Sequence, residues 1–245
     1  MALGSGRRRP RADGLEDRIR RASSRGPGAR TRAEVTPPSG RHLVLPVESG
    51  TVLSIDVDAL VALAAREGLL IALERREGDF AVAATPLLSW WSADETVPSE
   101  QDEQRLDAAA LTAVRLGRGP GDDVDSALRA LAADGDLDAL ASALALLARL
   151  PDPPAAFQDA EGFLRLIAPE SPFERRLAVL DAVSAPAERV LLLLRDCAFA
   201  STLPRRRAAV AAATERVLAG EGDRDRLDAL AEAVEAALER RWSVL

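Results

Sequence analysis

The chain has no lysine, no tyrosine and no asparagine, and among its 245 residues it has one histidine, His42, and one cysteine, Cys197. Each absence closes off a chemistry. A nucleotide-binding P-loop sets a lysine on the β- and γ-phosphates, Schiff-base enzymes need a lysine amine, and biotinyl or lipoyl carriers need a lysine acceptor. None of these can be built here. One imidazole and one thiol make neither a standard closed zinc site within a monomer nor any two-histidine motif, and a lone cysteine closes no internal disulfide. No cofactor is expected. A Ser-His-Asp or Cys-His unit would have to recruit His42, which sits in the strand-like run RHLVLPVESG and reads as a half-exposed strand histidine. Cys197 lies in AERVLLLLRDCAFA and reads as a small hydrophobe packed inside a helix. No long uncharged stretch is present, and runs such as VLLLL are far too short to cross a bilayer.

What is present is a core-forming chain with 47% hydrophobic residues and a net charge of −7 that is unevenly spread. Residues 1–41 hold 11 Arg against 4 acids, and the rest hold 21 Arg against 35 acids. The first 41 residues are rich in Arg, Gly, Ser and Pro and poor in large apolar side chains, so they are expected to form a disordered Arg-rich arm. Only GLEDRIRRASS could make a helix, and an isolated helix under about 12 residues is marginal in water. The cluster Arg7, Arg8, Arg9, Arg11 lacks the apolar stretch of a secretory signal. It reads as a solvated tail or as a contact for an anionic surface. Without interleaved aromatics, sequence-specific nucleic-acid binding is not expected.

Residues 42–91 read as a small β-rich module: HLVLP, TVLSI, LLIALE, FAV and PLLSWW, with Gly and Pro between them. One helix interrupts it, DVDALVALAAREG, with Asp56 as N-cap and Gly68 as C-cap. Residues 92–103 read as a linker. From 104 to 245 the chain reads as a helical domain with a short strand near 163–167. RLDAAALTAVRLG is expected to run as a helix to Gly117, LDALASALALLARL is stopped by PDPP, Ser171 caps the next helix, Pro186 opens the apolar one and Asp223 the last. No repeat period emerges, which favours an irregular bundle.

The glycines Gly117, Gly119 and Gly121 follow an expected helix and read as a turn. The acids of GDDVD (Asp122, Asp123, Asp125) and DGDLD (Asp134, Asp136, Asp138) read first as helix N-terminal charges that complement the helix dipole, and second as weak metal candidates. Trp90 and Trp91 end the β-rich module. Strand alternation turns one inward and the other outward, and the outward ring is the best single candidate for an interface residue.

Two stretches carry a family likeness: Ser49–Leu87, with its Gly-start strand, Ile-Asp step into a helix, apolar strand and Gly-Asp-Phe, and Asp159–Leu177, with DxxGxxRxxxP. In order and spacing the chain resembles the soluble C-terminal region of a bacterial family of predicted membrane proteins of unknown function, domain of unknown function 2254. The β-rich module also resembles barrel-sandwich hybrids of the biotinyl/lipoyl type, without the carrier lysine. The resemblance implies architecture and membrane association rather than an activity. Family members usually begin with several transmembrane helices and carry an Arg-rich Asp/Asn-Asp-Pro segment. Neither is found here.

The expected fold is therefore α+β, mainly α: a small, barrel-sandwich-like β-rich module followed by a helical bundle. The expected function is a non-catalytic interaction or regulatory module of a membrane-associated system. Its expected partner is another protein, itself membrane-embedded, with a homo-oligomer left open. The expected location is cytoplasmic, peripheral to the membrane. The alternative is a carboxylate-based, divalent-ion-dependent hydrolase around Asp122, Asp123 and Asp125.

Overall fold

A computed structural model describes residues 14–24, 29, 35–92, 98–119, 121, 123–220 and 223–242. The fold is α+β and mainly α. The chain divides into two compact units that do not follow chain order: a β-rich unit of Ala22–Ser126 and Pro151–Pro172, and a helical unit of Met1–Arg21, Ala127–Leu150 and Phe173–Leu245.

In the β-rich unit the elements are β1 (His42–Val44), β2 (Gly50–Ile55), α2 (Val57–Glu67), β3 (Leu69–Leu73), β4 (Phe80–Ala81), β5 (Leu88–Ser92), α3 (Glu100–Thr112), β6 (Val114–Gly117), β7 (Ala156–Gln158) and β8 (Leu164–Ile167). They form a five-stranded sheet of order β1-β5-β3-β8-β7 and a three-stranded one of order β4-β2-β6. β3 is central, antiparallel to β5 and parallel to β8. Its uninterrupted apolar run LLIAL suits a strand covered on both faces. The core gathers Val44, Ile71, Leu88, Trp90 and Leu166 from the sheet with Leu60, Leu63, Ala64 and Leu106 from the helices.

Local signals in α2 act as expected. Asp56 accepts a hydrogen bond from the Ala59 N–H, and Gly68 adopts the left-handed conformation at φ 67° that ends the helix. The helix expected to run to Gly117 stops at Thr112 instead. Val114–Gly117 pairs antiparallel with β2, with Ile55 opposite Val114, because this pairing satisfies an otherwise bare edge. α2 and α3 are tied at their surface by a two-pronged pair, Arg105 Nη1 and Nη2 to Glu67 Oε1 and Oε2 at 3.0 and 2.9 Å.

The helical unit contains α1 (Leu15–Ser23, up to Arg21), most of α4 (Val124–Asp134), α5 (Leu137–Arg149), α6 (Phe173–Leu177), a 3-10 turn (Ala178–Ala182), α7 (Ala187–Ala200), α8 (Pro204–Leu218) and α9 (Arg224–Leu238). The segment expected to be disordered thus holds a helix. Leu15 and Ile19, one turn apart, are both buried, and that burial supports a helix too short to persist alone. α7 packs against α5, α8 and α9, and Val190, Leu191, Leu193, Leu194 and Cys197 are buried along it. Burial pushes the Cys197 thiol well above its ordinary pKa, so it packs as an inert hydrophobe.

One buried cation fixes the end of α5. The last carbonyls of any helix lack partners within it, and here Pro151, Pro153 and Pro154 follow with no N–H to donate. Arg206 on α8 is 1% exposed and supplies the donors: its Nη1 lies 3.0, 2.9 and 2.6 Å from the carbonyls of Leu147, Ala148 and Leu150. Its guanidinium also lies over the Phe173 ring at 5.6 Å.

Arg206→Met keeps the length and removes the donors, so it should lower unfolding stability by about 3 kcal/mol or more. Arg206→Lys should recover part of that loss, since an ammonium also offers three donors. Equal denaturation midpoints for Arg206→Met and wild type would remove this role. A second outcome concerns pH. Arg105, and after it Arg66, lower the Glu67 carboxyl from 4.5 to about 2. The folded pKa is below the unfolded one, so this pair's stabilisation is complete above pH 4.5 and fades as pH falls towards 2. Glu67→Gln should melt about 2 °C below wild type at pH 7 and close to it near pH 2; a gap that does not shrink with acid contradicts the pairing.

Candidate functional site

The tryptophan pair lies on β5, and alternation separates the two rings. Trp90 is 3% exposed and belongs to the core, so it cannot present its ring to a partner. Its indole Nε1 donates to Asp107 Oδ1 at 3.0 Å, and Asp107 Oδ2 lies 3.0 Å from His42 Nε2. The His42 ring stacks on Trp90 at 4.6 Å between centroids, with its Nδ1 3.8 Å from Glu103. Both ring nitrogens of His42 therefore face carboxylates rather than a hydroxyl or thiol, which is the environment of a structural histidine that pins β1 to α3. Trp91 points to the other side of the sheet, opposite Leu70 on β3, and both are half-buried. Of the two, only Trp91 remains available for contact.

The acidic candidates separate in the same manner. Asp122 lies outside the described residues. Asp123 Oδ1 accepts the Ser126 N–H at 2.9 Å and caps α4. Asp125 Oδ2 faces the Ser171 hydroxyl at 3.2 Å and Arg76 Nη1 at 3.9 Å. Asp136 caps α5 through the Ala139 N–H, and Asp138 pairs with Arg189 at 3.2 Å. Among the described residues, no cluster of three or more His, Cys, Asp or Glu is placed to hold a metal ion.

The glycine-rich turn requires a correction. Gly117 ends strand β6, so Gly117, Gly119 and Gly121 follow a strand, as a nucleotide loop would. The turn reading now stands on a different ground: Asp123 already occupies an N–H at the start of α4 and places negative charge where a phosphate would sit. Arg7, Arg8, Arg9 and Arg11 lie outside the described residues.

The structure also exposes what the sequence reading missed. Leu43, Leu45, Val47, Phe80 and Val82 are 43, 42, 87, 62 and 49% exposed. They lie on or beside β1 and β4, each an edge strand of its sheet. Their segments are tied together by hydrogen bonds from the Ala84 N–H to the Pro46 carbonyl at 3.1 Å and from the Ala83 N–H to Ser49 Oγ at 2.8 Å. One signal could have revealed this surface: HLVLPV is apolar at nearly every position, and a strand at a sheet edge cannot bury both faces.

The two motif stretches turn out to be structural. Asp159 accepts the Phe163 N–H at 2.8 Å and Arg165 Nε at 2.6 Å, and the Arg165 guanidinium holds its carboxyl below the ordinary range. Gly162, at φ 88°, makes the turn, and Arg165 Nη1 reaches the Leu69 carbonyl of β3 at 3.4 Å. Asp79 accepts the Arg76 N–H beside Gly78, whose φ is 83°. These residues build the hairpin and the turn.

The predicted membrane protein family DUF2254 matches residues 12–186. The chain belongs to this family. No curated protein and no solved structure matches it. Among the described residues, no helix of this DUF2254 member is long and apolar enough to cross a membrane.

If Asp123 serves as a cap, Mg, Mn or Ca at millimolar concentration should leave the melting midpoint unchanged, because only a ligand that binds the native state raises it. Asp123→Ala should instead lower stability by about 1 kcal/mol with or without metal. A metal-dependent rise that Asp123→Ala abolishes would reinstate the ion site.

Proposed function

We propose that this DUF2254 chain is a non-catalytic interaction or regulatory module of a membrane-associated system, working at the cytoplasmic face, with the apolar edge of its β-rich unit as the contact surface. The observation that carries the reading is the exposure of Leu43, Leu45, Val47, Phe80 and Val82 on and just after two edge strands. Large apolar side chains grouped in this way are costly in water and mark contact sites. Edge strands add open backbone donors and acceptors, which a partner can use by pairing a strand. Membership of a predicted membrane protein family makes a membrane-embedded protein the favoured partner. The arginines Arg7, Arg8, Arg9 and Arg11 of the basic segment would add attraction to anionic headgroups, about 1 kcal/mol each near such a surface.

The test is crosslinked capture from native membranes with the full chain and with Val47→Glu/Phe80→Glu, both positions being largely exposed and tolerant of charge. A membrane protein captured by the wild type and lost with the variant is the expected result. Equal capture by the variant eliminates this surface, and the absence of any membrane protein eliminates the adaptor reading.

A further inference from the structure

The helical unit contains a groove that the reading above does not use. It is lined by α5 and α7 together with Trp242, just beyond α9, and has a volume of about 630 Å³. That volume is in the usual range for small-molecule sites, about 300–1,000 Å³. The cause is local: α5 turns small side chains, Ala141, Ser142 and Ala145, toward α7, where larger ones would have filled the space.

The groove's chemistry is aromatic and cationic. The Arg195 guanidinium carbon on α7 lies over the Trp242 ring, 4.3 Å from its centroid, and Phe199, one turn on, meets the same ring edge-on at 5.2 Å. Stacking and one long ion pair hold this guanidinium. Its Nη2 reaches Asp196 only at 3.5 Å, and its Nε is buried without a hydrogen-bond partner. A buried cationic donor left unsatisfied is costly unless something supplies an acceptor. Arg149, at the end of α5, brings a second guanidinium to the lining. Of the two acids there, Asp138 pairs with Arg189 and Asp196 with Arg195.

The geometry points to an aromatic carboxylate as the ligand of the α5–α7 groove, its carboxylate on Arg195 with Arg149 in support, and its ring against Phe199 and Trp242. A planar carboxylate matches the guanidinium fork, and a flat apolar body matches the ring-walled end of the groove. The inference is independent of the apolar edge of the β-rich unit.

The probe is sodium 1-naphthoate, titrated into the ¹⁵N-labelled full chain while its three indole N–H signals are followed. Trp242→Phe assigns the relevant signal. The Trp242 signal should move, with a Kd below about 1 mM, and the neutral 1-naphthylmethanol, acetate and inorganic phosphate should each bind at least about tenfold more weakly. Arg195→Gln should weaken naphthoate binding about tenfold or more. Ala145→Phe fills the groove while keeping both arginines and should abolish binding. The inference is overturned if Trp242 is unmoved at about 5 mM naphthoate, if the alcohol or phosphate binds as tightly as naphthoate, or if either folded variant binds like wild type.

Discussion

The parallel pairing of β3 with β8 is the constraint on which the β-rich unit depends. Ile71 stands opposite Leu166, and both are fully buried. A parallel pair cannot be closed by a tight turn, so the chain must travel before it returns. Here it leaves after Ser126 and comes back at Pro151, and α5 is built on that excursion. The sheet is consequently incomplete until residues near 167 have been made, and closing so long a loop is entropically slow. Arg165 secures the return. It is held by Asp159 in the hairpin and reaches the Leu69 carbonyl at the start of β3, so one arginine ties the late strand to the early one.

The return segment has a second consequence. PDPP separates α5 from β7, and its prolines stop the helix cleanly but offer no donors to the carbonyls they strand. The helical unit answers with Arg206, about 56 residues further along the chain. A buried guanidinium stabilises a structure only when its donors are occupied, and three carbonyls at a helix C-terminus also place it where the helix dipole favours a cation. The absence of lysine bears on this choice: every internal cation here is a planar fork that can stack on a ring as well as donate, as Arg206 does on Phe173 and Arg195 on Trp242.

Legibility in the sequence tracked how local each cause is. Asp56, Gly68, Asp136 and Pro186 mark helix ends through their own local chemistry, and these positions were readable one residue at a time. Val114–Gly117 looks like the tail of a helix because its Ala/Leu-rich neighbours have high helix propensity, and only the bare edge of β2 makes it a strand. The helix at Leu15–Ser23 falls in the one stretch of the arm that reads as helix-capable, and its persistence was not legible because it comes from the burial of Leu15 and Ile19. Of the candidate site, alternation in β5 already implied that one tryptophan would be internal. What Asp125 and Asp138 meet was not legible, because their partners Ser171 and Arg189 lie 46 and 51 residues away.

Most of the candidate polar groups are engaged in structural contacts. His42 is enclosed between two carboxylates, Cys197 is sealed in α7, Asp123 and Asp136 cap helices, and Asp159 and Glu67 are held by arginines. Groups used in this way gain stability from their partners, and that stability would be lost if they were freed to transfer protons or hold an ion. Two features among the described residues are of another kind: an apolar edge of Leu, Val and Phe, and a guanidinium stacked on a tryptophan in a groove. Both are features that gain by being covered. The partner and ligand readings proposed above rest on these two features, the exposed apolar side chains and the stacked guanidinium.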